Sequence, residues 1–152
     1  MIVDTSALVA IILGEQDGPD FAAALEAAPV CRISAGTYVE LSVVIDRARN
    51  ALVSRRLDQI LEEARFVIEP VSASQARIAR EAYRDFGQGS GKGSGHAARL
   101  NLGDCFAYAL ARELGEPLLF MGDDFDQTDI ESAIGRAGGG RLSELMATYL
   151  PG

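Results

Sequence analysis

The sequence predicts an α/β fold: a single domain over residues 1–152 with a central, mostly parallel β-sheet flanked by α-helices. Three observations predict it. Short β-prone runs alternate with longer segments of helical periodicity, as in strands joined by helical crossovers. Of the 152 residues 48% are apolar and 24% charged, enough to build one continuous core. There is no internal repeat, and the one low-complexity stretch is too short to separate domains.

Met1-Ile2-Val3 is the first β-prone run and ends at Asp4. Thr5-Ser6 can cap a helix from Ala7 to Leu13, stopped by Gly14. A second helix covers Gly18 to Ala28, with Phe21, Ala24, Leu25 and Ala28 on one face, and Pro29 ends it. Val30 to Ile33 reads as a strand, and Ser34 is a candidate N-cap for a helix reaching about Arg49. That helix carries Tyr38, Leu41, Ser42, Ile45 and Ala48 at helical spacing, with Glu40 beside them in its early turns. After Asn50 another helix runs to Arg65, and Phe66 to Ile68 form a strand. Ser72 opens a helix whose inner side is expected to hold Ala76, Ala79, Tyr83 and Phe86. Residues 87–95 form a glycine-rich surface loop, helix resumes near Gly103 and stops at Gly115, and Pro117 to Phe120 is the last clear strand. A terminal helix is expected over 141–150.

Composition excludes several classes. The formal charge of −8 argues against a protein that coats nucleic acid through a broad basic surface, though a carboxylate metal site can itself supply negative charge. Cys31 and Cys105 have no metal-ligand spacing and fit buried, reduced thiols. No apolar run approaches the ~20 residues needed to span a bilayer. The start lacks the basic and long apolar regions of a signal peptide, so a cytoplasmic protein is expected, with no membrane partner.

Asp4, Glu40, Asp104 and Asp124 stand at predicted element ends or helix starts, each with apolar neighbours. In parallel α/β folds ligands bind outside the carboxyl ends of strands, so these positions can converge. An oxygen-rich pocket made of them suits Mg²⁺ or Mn²⁺. Each acid alone has an ordinary explanation as a cap, a turn residue or a solvated helix charge. Asp104 fits that explanation least, because Cys105 to Ala111 leave no broad polar face around it.

Four segments carry a family likeness: Met1-Ile2-Val3-Asp4-Thr5-Ser6-Ala7-Leu8, Ala35-Gly36-Thr37-Tyr38-Val39-Glu40-Leu41, Leu100 to Ala109, and Pro117 to Phe125. In this order and spacing, over almost the whole chain, they resemble the PIN-domain ribonucleases, and more narrowly the VapC toxins of bacterial type II toxin–antitoxin pairs. The resemblance implies a Mg²⁺- or Mn²⁺-dependent endoribonuclease hydrolysing RNA phosphodiester bonds. It implies that Asp4, Glu40, Asp104 and Asp124 are the catalytic, metal-binding acids. Asp124 is preferred to Asp123 because the acid immediately before Phe125 matches the motif; many relatives carry Asn at the place of Asp123, which is left a supporting role. Thr5 and Ser6 match the polar pair after the first acid and could orient Asp4 or a metal-bound water. A cognate antitoxin, an RNA substrate and a homodimer are the implied partners.

Simpler explanations cover most of the remaining features. Gly91-Lys92 fails the phosphate-loop pattern, which would need glycine at Phe86 and Ser or Thr at Gly93. Lys92, His96 and Arg99 are candidate contacts to RNA phosphates. Arg47, Arg49, Arg55 and Arg56 read as a solvated surface, and Tyr38, Tyr83, Phe86 and Tyr108 as core packing. Two competing functions stay open on the residues: a metal-dependent phosphohydrolase on a similar sheet, and a non-catalytic PIN-fold binding module. The haloacid-dehalogenase type of phosphohydrolase expects a second acid two residues after the first, where this chain has Ser6.

Overall fold

Strand β1 (Ile2–Val3) lies inside a parallel four-stranded sheet of order β3-β2-β1-β4, with β2 at Arg32–Ser34, β3 at Val67–Glu69 and β4 at Leu118–Leu119. The computed structural model describes residues 1–87 and 99–134. Beyond β4, Ser132 adds a further parallel bridge to Leu118, with N–H···O bonds of 2.9 Å on either side. The helices are α1 (Thr5–Leu13), α2 (Gly18–Ala27), α3 (Ala35–Arg47), α4 (Ala51–Glu63), α5 (Ala73–Phe86) and α6 (Leu102–Leu114).

The period-two alternation of the strands divides the core in two. Val3, Ile33 and Leu119 face α1 to α4 with Leu8, Phe21, Leu41, Ile45 and Leu57. Ile2 and Leu118 face the other way, onto Ala82, Leu100, Tyr108 and Leu110 of the α5–α6 side. The central strand β1 and its neighbour β4 are therefore apolar on both faces, as in a parallel sheet covered on both sides, whereas β3 is an exposed edge strand. The apolar residues of α2 fall where its spacing predicts, with Phe21 and Leu25 buried.

Local chemistry sets the element ends. Ser34, Asn50 and Ser72 cap α3, α4 and α5 through side-chain oxygens, and Gly14 and Gly115 end α1 and α6 in the left-handed conformation at φ 68° and 64°. Three expectations need correction. Helix α1 begins at Thr5, because Asp4 and not Thr5-Ser6 is its cap. The inner face of α5 is turned by about one residue: Gln75, Ile78, Ala79, Ala82 and Phe86 face inward, while Ala76 is exposed and Tyr83 is 49% exposed. Alanine packs equally well on either side of a helix boundary, so an alanine-rich periodicity leaves that rotation open. Gly87 is not in a surface loop, being buried and bridged to Leu100. The rest of the glycine-rich segment and the terminal helix expected at 141–150 lie outside the described residues.

Cys31 and Cys105 are free and buried, and Phe86 stacks obliquely on Tyr108 at 5.9 Å. Arg47, Arg49, Arg55 and Arg56 are all exposed. No helix among the described residues is long and apolar enough to cross a membrane.

The two aromatic positions give a direct check on this packing. Phe21→Ala, at a site with no solvent exposure, is expected to cost about 3–5 kcal/mol. Tyr83→Ala should cost less than about 1 kcal/mol. Urea unfolding midpoints at constant slope measure both.

Candidate active site

Helices that connect parallel strands run back against them, so α1, α3 and α6 all begin at the carboxyl edge of the sheet. Asp4 is the residue at which β1 becomes α1. Its backbone N–H donates to the Leu119 carbonyl on β4 at 2.9 Å. Its Oδ2 accepts from the Ser6 N–H at 3.0 Å and from Ser6 Oγ at 2.7 Å. Ser6 Oγ accepts in turn from the Met121 N–H at 3.0 Å. One hydroxyl thus ties the first acid to the end of the neighbouring strand. Asp4 Oδ1, by contrast, is buried without a hydrogen-bond partner.

Glu40 projects from the second turn of α3, and its Oε1 accepts from Thr5 Oγ1 at 2.8 Å. The two hydroxyls after Asp4 therefore serve different acids: Ser6 holds Asp4, while Thr5 reaches across to Glu40. Asp104 occupies the third position of α6 and is 9% exposed. It forms a capping box with Asn101: the Asn101 N–H donates to Asp104 Oδ2 at 2.8 Å, and the Asp104 N–H donates to Asn101 Oδ1 at 2.9 Å. Asp124 follows β4 in the Gly122–Phe125 turn, half-buried, and Phe125 anchors that turn against Phe120 at 5.0 Å between rings.

These four carboxyls affect one another. Burial raises the Asp4 carboxyl above the ordinary aspartate range, with the Ser6 bonds pulling back. Glu40 is raised by burial and then by the charge of Asp4, against the Thr5 hydrogen bond. Asp104 is raised well above 3.8, first by burial, then by Asp4, with Asp124 and Glu40 adding to it. Asp124 is raised by burial, then by Asp123 and Asp4, and lowered by Arg99. The sheet edge concentrates negative charge out of water with Arg99 the one cation acting on these acids among the described residues.

The donor set is all oxygen, which suits a hard divalent cation. Among the described residues no three acidic, histidine or cysteine side chains already form a finished metal cage. That arrangement still fits Mg²⁺, which is commonly held by one or two carboxylates while keeping several waters. The unpartnered Asp4 Oδ1 is the acceptor best placed to be such a ligand. Asp123 is exposed and acts on Asp124 by charge alone. Arg99 is exposed beside the acids, and Lys92 and His96 lie outside the described residues. Sequence reasoning did not single out Asn101, although the Asn101-x-x-Asp104 spacing is itself a capping-box signal.

The profile of the PIN domain matches residues 1–131. Ribonuclease VapC28 of Mycobacterium tuberculosis is 52% identical over 136 residues, 90% of this chain and 99% of that protein. Among solved structures, M. tuberculosis VapC20, described as a sarcin-ricin loop cleaving toxin, superposes with a TM-score of 0.66 at 17% identity, over 85% of this chain and 95% of that one. A toxin–antitoxin complex from Klebsiella pneumoniae gives 0.61 at 22% identity, covering 84% and 92%. The two structural matches show the fold.

The electrostatics predict an unusual sign for Asp104→Asn. A carboxyl whose folded pKa is raised contributes stability below its unfolded pKa and loses it as pH rises through the folded value. Removing the charge while keeping the cap should therefore stabilise the metal-free protein at pH 7, by about 2–4 °C in Tm for each kcal/mol of repulsion relieved. The advantage over wild type should shrink as pH falls toward 3.8. Thermal melts across pH, in chelator, measure it.

Proposed function

This chain belongs to the PIN-domain family, and we propose that it is a Mg²⁺- or Mn²⁺-dependent endoribonuclease, the toxin of a type II toxin–antitoxin pair, acting through Asp4, Glu40, Asp104 and Asp124. The observation that carries this reading is the set of mutually repelling carboxyls at one sheet edge, with Asp4 Oδ1 buried and unpartnered. Such an edge is unfavourable by itself and becomes favourable against a cation.

In this mechanism Asp4 and Asp104, the most buried of the four, would hold the cation deepest in the site. Ser6 keeps Asp4 turned so that Oδ1 stays free, and Asn101 keeps one Asp104 oxygen fixed on the helix cap. Thr5 orients Glu40, which with Asp124 would complete the set of acids that hold the cation. What a divalent cation supplies when bound is positive charge against the phosphoryl oxygens and a lower pKa for the attacking water. Arg99 fits a contact to an RNA phosphate next to the cleaved bond, and Lys92 and His96 are assigned the same role. Asp123 adjusts the charge at Asp124. No protein nucleophile is required.

The same charge logic extends to partners. An antitoxin arginine set against these acids would replace the cation and bond bidentately, which shuts the site without altering the fold. A homodimer and a cytoplasmic location complete the proposal, with residues 1–152 as one domain.

The test is incubation of antitoxin-free protein with total RNA, with Mg²⁺ or Mn²⁺ and with chelator. Metal-dependent cuts are expected, falling at least about 100-fold in Asp4→Asn. Release of phosphate from small phosphoesters with intact RNA would establish the phosphohydrolase reading instead. RNA binding without cleavage would establish the binding module.

A further inference from the structure

We propose that Gly103 is a positioning residue for this site: its missing side chain is the space in which the Glu40 carboxylate sits. The proposal rests on the reading of Glu40 as one of the catalytic acids.

Gly103 is buried at the second position of α6, where glycine is a poorer helix residue than alanine. Its backbone does not explain the choice, since it is absent from the glycines of positive φ. Its surroundings do. A β-carbon on Gly103 would overlap Glu40 Oε2 and Cδ outright and stand 2.5 Å from Oε1. The carboxylate is thus held from two sides, by the Thr5 hydroxyl of α1 at 2.8 Å and by the bare Cα of α6.

A second glycine completes the arrangement from the opposite helix. A β-carbon on Gly36 of α3 would stand 2.5–2.8 Å from ring atoms of Phe106 on α6. Gly36 precedes Glu40 by one turn, and Phe106 follows Gly103 by about one turn. Each helix therefore carries one glycine that admits a side chain from the other. This reciprocal contact fixes how far α3 and α6 slide past each other, and so brings Glu40 close enough to act on Asp104. The two collisions differ in kind. Glu40 ends in a flexible side chain that can swing away, so alanine at Gly103 should leave the fold intact and displace the acid. The Thr5 hydrogen bond would be lost with it.

The experiment is a double-mutant cycle on the full chain, read by Mn²⁺ affinity from Mn²⁺-dependent thermal shifts and, in parallel, by RNA cleavage. Gly103→Ala is expected to fold and to weaken Mn²⁺ binding about tenfold, the scale of residues that orient metal ligands. In a Glu40→Ala background the same change should alter Mn²⁺ affinity by less than about twofold, because no carboxylate remains to be displaced. Wild-type Mn²⁺ affinity in Gly103→Ala would overturn the proposal, and so would an equal loss in both backgrounds. If Gly103→Ala alone does not fold, the collision predicts that adding Glu40→Ala restores folding; an unfolded double variant overturns it. Wild-type metal binding and cleavage in Glu40→Ala would instead overturn the catalytic reading of Glu40, and this proposal with it.

Discussion

Repulsion between carboxylates held out of water at the carboxyl end of β1 shapes much of this structure. Asp4, Glu40 and Asp104 come from the early turns of three different helices; burial raises the proton affinity of all three, and the charge of Asp4 raises Glu40 and Asp104 further. Each tenfold change in that affinity corresponds to about 1.4 kcal/mol. Only roughly 5–15 kcal/mol holds a domain folded. Packing elsewhere must offset this edge, which is why its acids are so firmly held: Asp4 by Ser6 and the Leu119 carbonyl, Asp104 by Asn101, Glu40 by Thr5.

The opposite edge of the sheet is arranged in the reverse way. There the charges are paired. The amino group of Met1 meets Glu116 at 2.5 Å, and Arg32 bridges Glu69 at 2.6 Å and Glu116 at 3.1 Å. Against the burial that raises it, the hydrogen bonds and charges of the Met1 amino group and then of Arg32 bring Glu116 below the ordinary glutamate range. These partly exposed pairs are individually worth about 1 kcal/mol or less. Their chief effect is to tie Met1 and Arg32, at the starts of β1 and β2, to Glu116 ahead of β4 and to Glu69 at the end of β3. The parallel topology makes this division possible, because all strand starts share one edge while α1, α3 and α6 begin at the other.

Much of this was legible in the residues. Alternating strand and helix signals, the caps Ser34, Asn50 and Ser72, and the glycine stops at Gly14 and Gly115 are local features, settled by a few neighbouring residues. Asp4, Asp104 and Asp124 stood out because each lies where a local element begins or ends, and Glu40 because it lies beside the apolar face of an early helical turn. The rotation of α5 was not legible, since Ala76, Ala79 and Ala82 leave its inner face nearly degenerate until it packs along α6. Nor was the separate service of Thr5 and Ser6, because adjacent hydroxyls in a sequence carry no record of which neighbour each will meet.

The sequence by itself determined the fold class, the order of elements and the candidate acids, because periodicity, capping and turn chemistry act over a few residues and leave their mark in order. Tertiary structure alone decided which oxygen of Asp4 stays unpartnered, that Thr5 reaches Glu40, and that Gly36 and Gly103 admit Phe106 and Glu40. Those facts depend on contacts between residues far apart in the chain. A glycine in a helix looks the same in sequence whether it is an accident or a socket; only the helix packed against it tells the two apart.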